Sequence, residues 1–320
     1  MSDVLFIKTS SLGDVIHHMP ALTEARRSRP DARFAWVVDE AYAPLAGLHP
    51  AVDEVIPVAA RAWRSSLHRP SAWRAMMQFV RGLRTRRYDE IVDTQGLFLK
   101  SALIARCARG RRHGYDSGSI RERAASWLYD VRHRVARDRH AIERNRALTG
   151  LALGYAPEGP PDYGLDRSRL APAGGARYGI LLHGTARPEK QWPEDNWRAL
   201  AQMLGGEIDL VVLHGSASER ARAERIASAS PRAQVPEREP LDAVARTIAG
   251  ASFVVGVDTG LLHLAAALGV PLVAIFCASE PGLTGPMGQG PMKVLGGHGA
   301  MPSVDEVAAA IADVTGARRV

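Results

Sequence analysis

Residues 253–276 read FVVGVDTGLLHLAAALGVPLVAIF, and this stretch decides the fold class. Its first five residues are apolar and rich in β-branched side chains, and they run into Asp258, Thr259 and Gly260, as a buried strand runs into a turn. The apolar residues that follow have helical spacing. Gly269 ends that helix, and Pro271 prevents its continuation before a second apolar run. The stretch therefore predicts a strand, a turn, a helix and a second strand.

The turn between this strand and this helix suits a phosphate group. Asp258 or Thr259 can cap the helix, whose free N–H groups and dipole attract an anion, and Gly260 allows close approach. His263 lies four residues after Thr259 on the same helical face and can add a hydrogen bond. The same letters also fit an ordinary capped helix with a hydrogen-bonded histidine, so this stretch alone leaves both interpretations open.

Strands and helices alternate along the whole chain. Strands are predicted at 4–7, 33–38, 55–58 and 91–93, and again at 178–183 and 208–214 after a segment rich in proline and glycine at 156–176. This alternation predicts an α/β protein with two Rossmann-like parallel-sheet domains, 1–160 and 161–320. Open sheets bind ligands at the carboxyl ends of their strands, which predicts a site in a cleft between the domains. An amphipathic C-terminal helix at 303–315 could pack back on the first domain.

The basic residues are concentrated in the first half of the chain. Residues 1–160 contain 26 Lys and Arg against 17 Asp and Glu, whereas residues 161–320 contain 15 against 17. Aromatic residues are sparse among the arginines and no nucleic-acid-binding signature occurs, so we expect an anionic small molecule or lipid headgroup as partner and no nucleic acid. The start of the chain has no signal-peptide pattern, and polar or helix-breaking residues interrupt the longest uncharged stretch. We therefore expect a cytoplasmic protein without a transmembrane segment.

Several common chemistries lack their motifs. The sequence has no GxGxxG after a strand, no GxxxxGK[ST], no HExxH and no DxD, which argues against nicotinamide, ATP and metal sites. Cys107 and Cys277 lack CxxC spacing and are expected to be free thiols. The remaining pattern is an anion site around Thr185, Lys190 and the turn at 258–260, with a carboxylate at Asp14 on the other domain. A diphosphate site without a metal, opposite a base, suggests glycosyl transfer from a nucleotide sugar.

Asp14 itself has two interpretations from the sequence. It lies at the start of a predicted helix at 15–28, where an aspartate is also an ordinary N-cap. The neighbouring His17 and His18 point about 100° apart on a helix and cannot chelate one ion, so they are predicted to be surface residues.

Four segments resemble the lipopolysaccharide heptosyltransferases of glycosyltransferase family 9. They are VLFIKTSSLGDVIHHMPAL at 4–22, VDTQGLFLKSAL at 92–103, HGTARPEKQWPEDNW at 183–197 and VVGVDTGLLHLAAALGVP at 254–271. The resemblance runs from Val4 to about Leu283. Within the family, KTSSLGD together with the tract at 61–64 is most similar to the heptosyltransferase I group.

The resemblance implies a glycosyltransferase B fold, with its two domains facing a central cleft. It implies inverting transfer of L-glycero-D-manno-heptose from ADP-heptose to a Kdo residue of Kdo-lipid A, which is the first heptose of the lipopolysaccharide inner core. No cofactor and no metal are expected. The enzyme would associate peripherally with the inner face of the inner membrane, where its lipid acceptor resides.

Site residues carry over by position in these segments. Asp14 would be the general base, and Lys190 would stabilise the leaving diphosphate. The donor would be bound by Thr185, Ala186, Lys190, Glu219, Glu239, Asp258, Thr259, Gly260 and His263. The acceptor would be bound by Ser10, Ser11, Gly13, Arg61, Arg64, Lys100 and Arg121.

Some positions depart from the family pattern, and two other classes of function stay open. Ala186 stands where a second threonine is usual and Glu239 where a methionine is usual, while Ala62 and Ser65 replace basic residues of the acceptor loop. One alternative is a nucleotide-sugar epimerase or hydrolase of the same fold, which would turn over its donor without acceptor. The other is a catalytically silent binding protein of envelope assembly, in which Asp14 would be only a helix cap.

Overall fold

The first half of the chain builds a six-stranded parallel sheet around its first strand. This computed structural model describes residues 2–66, 68–172, 177–185, 187–278 and 281–316, without the side chains of Arg61 and Arg64. Residues 1–164 form one compact unit. The strand order is β3-β2-β1-β4-β5-β6. The strands are β1 (Asp3–Ile7), β2 (Arg33–Asp39), β3 (Glu54–Val58), β4 (Arg87–Asp93), β5 (Arg109–Tyr115) and β6 (Val131–His133). The helices are α1 (Leu12–Ser28), α2 (Ala43–Ala46), α3 (Ala60–Ser65), α4 (Pro70–Arg84), α5 (Leu103–Cys107) and α6 (Ala141–Leu153).

Residues 165–320 form the second compact unit, around a second six-stranded parallel sheet. The division between the units falls inside the predicted linker at 156–176. The strand order is β12-β11-β10-β7-β8-β9. The strands are β7 (Tyr178–Leu182), β8 (Asp209–Val212), β9 (Ala233–Gln234), β10 (Phe253–Val257), β11 (Leu272–Phe276) and β12 (Met292–Gly296). The helices are α7 (Arg167–Leu170), α8 (Glu194–Leu204), α9 (Ala217–Ala227), α10 (Leu241–Gly250), α11 (Gly260–Ala267) and α12 (Val304–Thr315).

Central strands are buried on both faces, which explains their uninterrupted apolar sequences. Every residue of β10 and of β11 is buried, and β10 pairs in parallel with β11 on one side and β7 on the other. The predicted unit of strand, turn, helix and strand at 253–276 is therefore confirmed. All four edge strands are partly exposed, and the sequence pattern predicted β3 but not β6, β9 or β12.

The C-terminal helix α12 contributes to the core of the second unit. Val307, Ala310, Ile311 and Val314 are buried in the cluster that also contains residues of β10 and β11. The sequence pattern allowed this helix to pack back on the first domain. It packs instead on the second sheet, where its apolar stripe covers β11. Among the described residues, no helix combines the length and the apolar character that a bilayer span needs.

Candidate active site

The loops after β7 and β10 bring the predicted anion-binding residues of the second unit together. These two strands are neighbours and run parallel, so their carboxyl ends lie side by side. The hydroxyl of Thr185 donates to the main-chain carbonyl of Asp258 at 3.0 Å. Lys190, at the end of a short 3₁₀ turn, forms an ion pair with the carboxylate of Asp258. The lysine and aspartate side chains are 22% and 20% exposed, so solvent or a ligand reaches both.

The next residues along the chain begin the helix α11. Thr259 is its N-cap in extended conformation, and Gly260 is its first helical residue. The first turn of a helix leaves N–H groups without helical partners, and the helix dipole adds positive potential there. His263, one turn into the helix, is buried. The ammonium of Lys190 and the start of α11 thus both adjoin Asp258. Ala186, the remaining predicted residue of this loop, lies outside the described residues.

Glu219 lies against the same loop region from the neighbouring helix. Its carboxylate accepts a hydrogen bond from the backbone N–H of Gly215 at 2.6 Å, and Ser216 caps α9 by accepting from the N–H of Glu219 at 3.2 Å. A Cβ on Gly184 would lie 2.8 Å from Cδ of Glu219, so the two are in direct contact. Glu219 therefore borders the residue that precedes Thr185. Glu239 lies in an exposed loop before α10.

Asp14 in the first unit is the third residue of its helix rather than its cap. The helix begins at Leu12 and Ser11 is the N-cap, three residues earlier than the apolar spacing predicted. One carboxylate oxygen of Asp14, Oδ2, accepts from the backbone N–H of Ser11 at 2.8 Å and from its hydroxyl at 2.9 Å. These bonds belong to a capping box, in which the N-cap and the third helical residue satisfy each other. The carboxylate is 44% exposed and remains accessible.

A buried lysine faces the other oxygen of this carboxylate, and the sequence did not assign it a role. Lys8 Nζ lies 3.9 Å from Asp14 Oδ1, donates to the carbonyl of Thr94 at 3.2 Å and to Asn145 Oδ1 at 3.4 Å. Burial lowers the pKa of Lys8, while Asp14 and then Asp93 act to raise it. Only four lysines occur among 41 basic residues, and this scarcity was the one signal that could have marked Lys8.

The side chain of Gln95 hydrogen-bonds to the loop that contains the predicted acceptor residues Ser10 and Ser11. The side-chain oxygen of Gln95 accepts from the N–H of Thr9 at 2.6 Å, and its amide donates to the carbonyl of Ser10 at 2.7 Å. Gly13 lies in the first turn of α1. Two further predicted acceptor residues lie in the segments that follow β4 and β5. Lys100 lies on a π-helical turn at Phe98–Ala102, after β4, and Arg121 is exposed in the segment before Glu122, after β5.

The segment with Arg121 is tied to the segment with Lys100. The carboxylate of Glu122 accepts a hydrogen bond from the N–H of Phe98 at 2.7 Å. This bond brings the two basic residues into one region of the first unit. The side chains of Arg61 and Arg64, the other two predicted acceptor residues, lie outside the described residues.

Comparison with known proteins gives consistent matches to one family. The family model "Glycosyltransferase family 9 (heptosyltransferase)" matches residues 76–310. Lipopolysaccharide heptosyltransferase 1 of Pseudomonas aeruginosa is 47% identical over 295 residues, which cover 89% of this chain and 81% of that protein. The Escherichia coli heptosyltransferase WaaC with ADP is 37% identical with a TM-score of 0.91, over 97% of this chain and 99% of that chain. The same enzyme with ADP-2-deoxy-2-fluoro heptose has a TM-score of 0.85, 37% identity and coverage of 97% and 98%.

Two parallel six-stranded sheets with this degree of structural similarity define a glycosyltransferase of the B fold. The chain belongs to glycosyltransferase family 9, the heptosyltransferases. It is therefore a transferase that moves a heptose in lipopolysaccharide assembly.

Proposed function

We propose that this enzyme transfers L-glycero-D-manno-heptose from ADP-heptose to a Kdo residue of Kdo-lipid A, with inversion of the anomeric centre and without a metal ion. The similarity to proteins named lipopolysaccharide heptosyltransferase 1 supports the position of this heptose as the first of the inner core. The donor is supported by the similar WaaC structures, which contain ADP and a fluorinated ADP-heptose. The observation that carries the proposal is the placement of Lys190, through Asp258, beside the start of α11.

The second unit would stabilise the leaving ADP. Negative charge develops on the diphosphate as the glycosidic bond breaks, and preorganised donors lower the barrier most when they face that charge. Lys190 has three N–H donors, and its ion pair with Asp258 fixes its position without using all of them. The N–H groups at Thr259 and Gly260 add neutral donors and the positive end of a helix dipole. These groups supply the charge stabilisation for which other glycosyltransferases need a metal.

The first unit would supply the base. Inversion in a single displacement requires a base that removes the proton of the acceptor hydroxyl as that oxygen attacks the heptose. Asp14 is an exposed carboxylate, and each of its oxygens has two lone pairs, so the bonds from Ser11 to Oδ2 leave acceptor capacity for a substrate hydroxyl. The capping box restricts the rotation of this carboxylate, and the ammonium of Lys8 lies near its second oxygen. Both features would orient the base before the acceptor arrives.

The proposed acceptor is a membrane lipid, so we also propose a peripheral association with the inner face of the inner membrane. The first half of the chain, with 26 basic and 17 acidic residues, carries the charge that suits an acceptor with phosphates and Kdo carboxylates. Lys100 and Arg121 would meet those groups in the region joined by Glu122. Ser10, Ser11 and Gly13 would border the hydroxyl that reacts with the heptose.

The test is a transfer assay with purified enzyme, ADP-heptose and Kdo-lipid A. We expect one heptose to be added by mass spectrometry, an inverted anomeric configuration by NMR, and full activity in excess EDTA. Consumption of ADP-heptose without acceptor would instead indicate the epimerase or hydrolase alternative. Binding of both substrates without any product would indicate the binding protein. Loss of activity in EDTA with rescue by magnesium would refute the metal-free mechanism.

A further inference from the structure

Large apolar side chains are exposed on four neighbouring elements of the first unit. Trp73 and Met77 on α4 are 55% and 53% exposed, and Leu99 on the π-helical turn Phe98–Ala102 is 73% exposed. Leu103 at the start of α5 is 37% exposed, and Trp127 on the 3₁₀ helix Arg123–Leu128 is 72% exposed. Helix α5 contacts the other three elements, and the π-helical turn contacts the 3₁₀ helix. These five side chains define a surface that we call the apolar–basic face.

The four elements cover the same side of the first sheet. Leu83 of α4, Ala102 of the π-helical turn, Ile104 of α5 and Ala125 of the 3₁₀ helix are all buried in one core cluster, together with Leu5 of the central strand. Because α5 contacts the other three elements, their outward sides are neighbours on this side of the unit. The exposed tryptophans, leucines and methionine are therefore not isolated on different parts of the unit. Contiguous apolar surfaces of this kind mark sites of interaction.

The charged side chains of these four elements are all basic, and the carboxylate of Glu122, just before the 3₁₀ helix, accepts a hydrogen bond from the N–H of Phe98. On α4, Arg81 and Arg84 lie at helical spacing from Met77 and Trp73, on the outward stripe opposite the buried Ala72 and Leu83. Across the four elements, the basic residues are Arg74, Arg81, Arg84, Lys100, Arg106 and Arg123, and the sequences of these elements contain no Asp or Glu. An apolar stripe of tryptophan, leucine and methionine among arginines matches the interfacial zone of an anionic bilayer, where aromatic rings lie at headgroup depth and arginines contact phosphates.

We propose that the apolar–basic face docks on the surface of an anionic lipid bilayer. The proposal extends the function proposed above, because Lys100 lies between Leu99 and Leu103 on this face and is also a predicted acceptor residue. Docking by this face brings Lys100 to headgroup level, where the sugar of a lipid acceptor is found while its acyl chains stay in the membrane. The face thus lets the enzyme reach the acceptor without extracting the lipid.

The direct test is binding to vesicles that contain no acceptor. We expect the wild-type protein to co-sediment with vesicles of phosphatidylethanolamine and phosphatidylglycerol, and to bind phosphatidylcholine vesicles at least about tenfold more weakly, since each basic residue near an anionic surface contributes to binding. The triple variant Trp73→Ser, Met77→Ser, Trp127→Ser should lose about tenfold or more in affinity for the anionic vesicles. The matched control Leu151→Ser, Met203→Ser removes side chains that are 53% and 51% exposed on α6 and α8, and it should bind like the wild type.

A second measurement does not depend on the folding of a variant. Trp36, Trp192 and Trp197 are fully buried and Trp63 is partly buried against the core, so quenching of wild-type fluorescence by brominated lipids reports mainly on the exposed Trp73 and Trp127. We expect quenching by brominated phosphatidylglycerol vesicles. The variant should also retain turnover of a deacylated, water-soluble Kdo acceptor. Inactivity of the wild type on that acceptor together with vesicle binding would count against the proposed function and leave the docking face standing.

Four results would overturn the docking proposal. The first is equal vesicle affinity of the triple variant and the control, and the second is absence of quenching by the brominated lipid. The third is binding only to vesicles that contain Kdo-lipid A, which would assign the face to the acyl chains of the acceptor. The fourth is a dimer of the wild type that the triple variant abolishes, which would assign the face to a second copy of the chain.

Discussion

Replacement of Lys190 by alanine tests the donor site most directly. Lys190 and Asp258 form an ion pair between the loops that follow two neighbouring strands, and the proposed diphosphate would lie between this pair and the start of α11. Lys190→Ala removes the cation and leaves the carboxylate of Asp258 without it. The variant should therefore bind ADP-heptose more weakly for two reasons: a donor is lost, and an unneutralised negative charge remains next to the diphosphate.

The magnitude follows from the kind of contact and its partial burial. A hydrogen bond to a charged group contributes about 1.5–3 kcal/mol, which corresponds to roughly a ten- to hundredfold loss of affinity. Because the lysine side chain is only 22% exposed, screening by solvent should reduce this loss of affinity only slightly. The value of kcat should fall as well, since charge on the diphosphate increases in the transition state. Folding stability should change little, because a partly exposed ion pair contributes modestly to it.

The assay is calorimetric titration of ADP and of adenosine into wild type, Lys190→Ala and Lys293→Ala. Lys293 Nζ lies 3.3 Å from Asp313 Oδ2 on another edge of the same unit and serves as a matched ion-paired control. We expect a ten- to hundredfold loss for ADP in Lys190→Ala only, with adenosine affinity unchanged. An ADP affinity within about twofold of the wild type, or an equal loss for adenosine, would refute the assignment of Lys190 to the diphosphate.

Three further predictions follow from other parts of the molecule. Asp14→Asn should lower kcat by about 10²- to 10⁴-fold with little change in donor affinity or melting temperature, because the amide oxygen can still accept from Ser11; near-normal kcat would leave Asp14 with only its structural part in the capping box. The acceptor KM should rise with ionic strength more steeply than the donor KM, and a triple Arg61→Ala, Arg64→Ala, Arg121→Ala variant should flatten that rise; identical slopes in variant and wild type would exclude these arginines. Burial lowers the pKa of His49 to about 4, so the unfolded state takes up a proton at higher pH than the folded state. The melting temperature should therefore fall as pH drops from about 6.5 to about 4. A melting temperature that is constant through that window in wild type, or a pH profile that is unchanged in His49→Gln, would contradict this.

Central elements could be predicted from the sequence because their physics is local. The strand, turn and helix at 253–267 appear where the apolar run, the polar turn and the helical spacing placed them, since both faces of β10 are buried and nothing polar interrupts it. The same holds for β1, whose residues 4–7 are all buried. At such positions burial acts on every side chain in turn, and the pattern of residue types reports it directly.

Charged strands could not be predicted because distant residues stabilise them. The strand β5 reads RGRRHGY, which resembles a loop. The guanidinium of Arg112 forms a bidentate ion pair with Asp130, with N–O distances of 2.8 and 2.6 Å. The ring of His113 lies 2.6 Å from the carboxylate of Glu90. Its partners come from the neighbouring strand β4 and from the residue before β6. A sequence window of ordinary length contains none of this information.

The two histidines of α1 show the same limit, and the prediction that they lie on the surface is wrong. His17 and His18 are buried, because α1 packs against α6 and against the sheet, where the ring of His18 contacts those of Phe6 and Trp36. The ring of His18 lies within 3.2 Å of the hydroxyl of Thr94, at the end of β4. A helix that packs against neighbours on two sides buries polar residues that would be exposed if it packed on one side only. The second contact, with α6, comes from the tertiary fold.

The candidate base combines a local feature that the sequence contained with one that it did not. The letters Ser11-Leu12-Gly13-Asp14 have the spacing of a capping box, so the short bond from Ser11 to Asp14 Oδ2 could have been predicted from four residues. Lys8, three residues before the cap, reaches Asp14 only because β1 and the end of β4 bury it against Thr94 and Asn145. The cap orients the carboxylate through one oxygen, and the lysine lies beside the other. A carboxylate held in this way can serve both as a structural cap and as a base, since the first role uses lone pairs of Oδ2 and leaves the anion accessible to a hydroxyl on its exposed side.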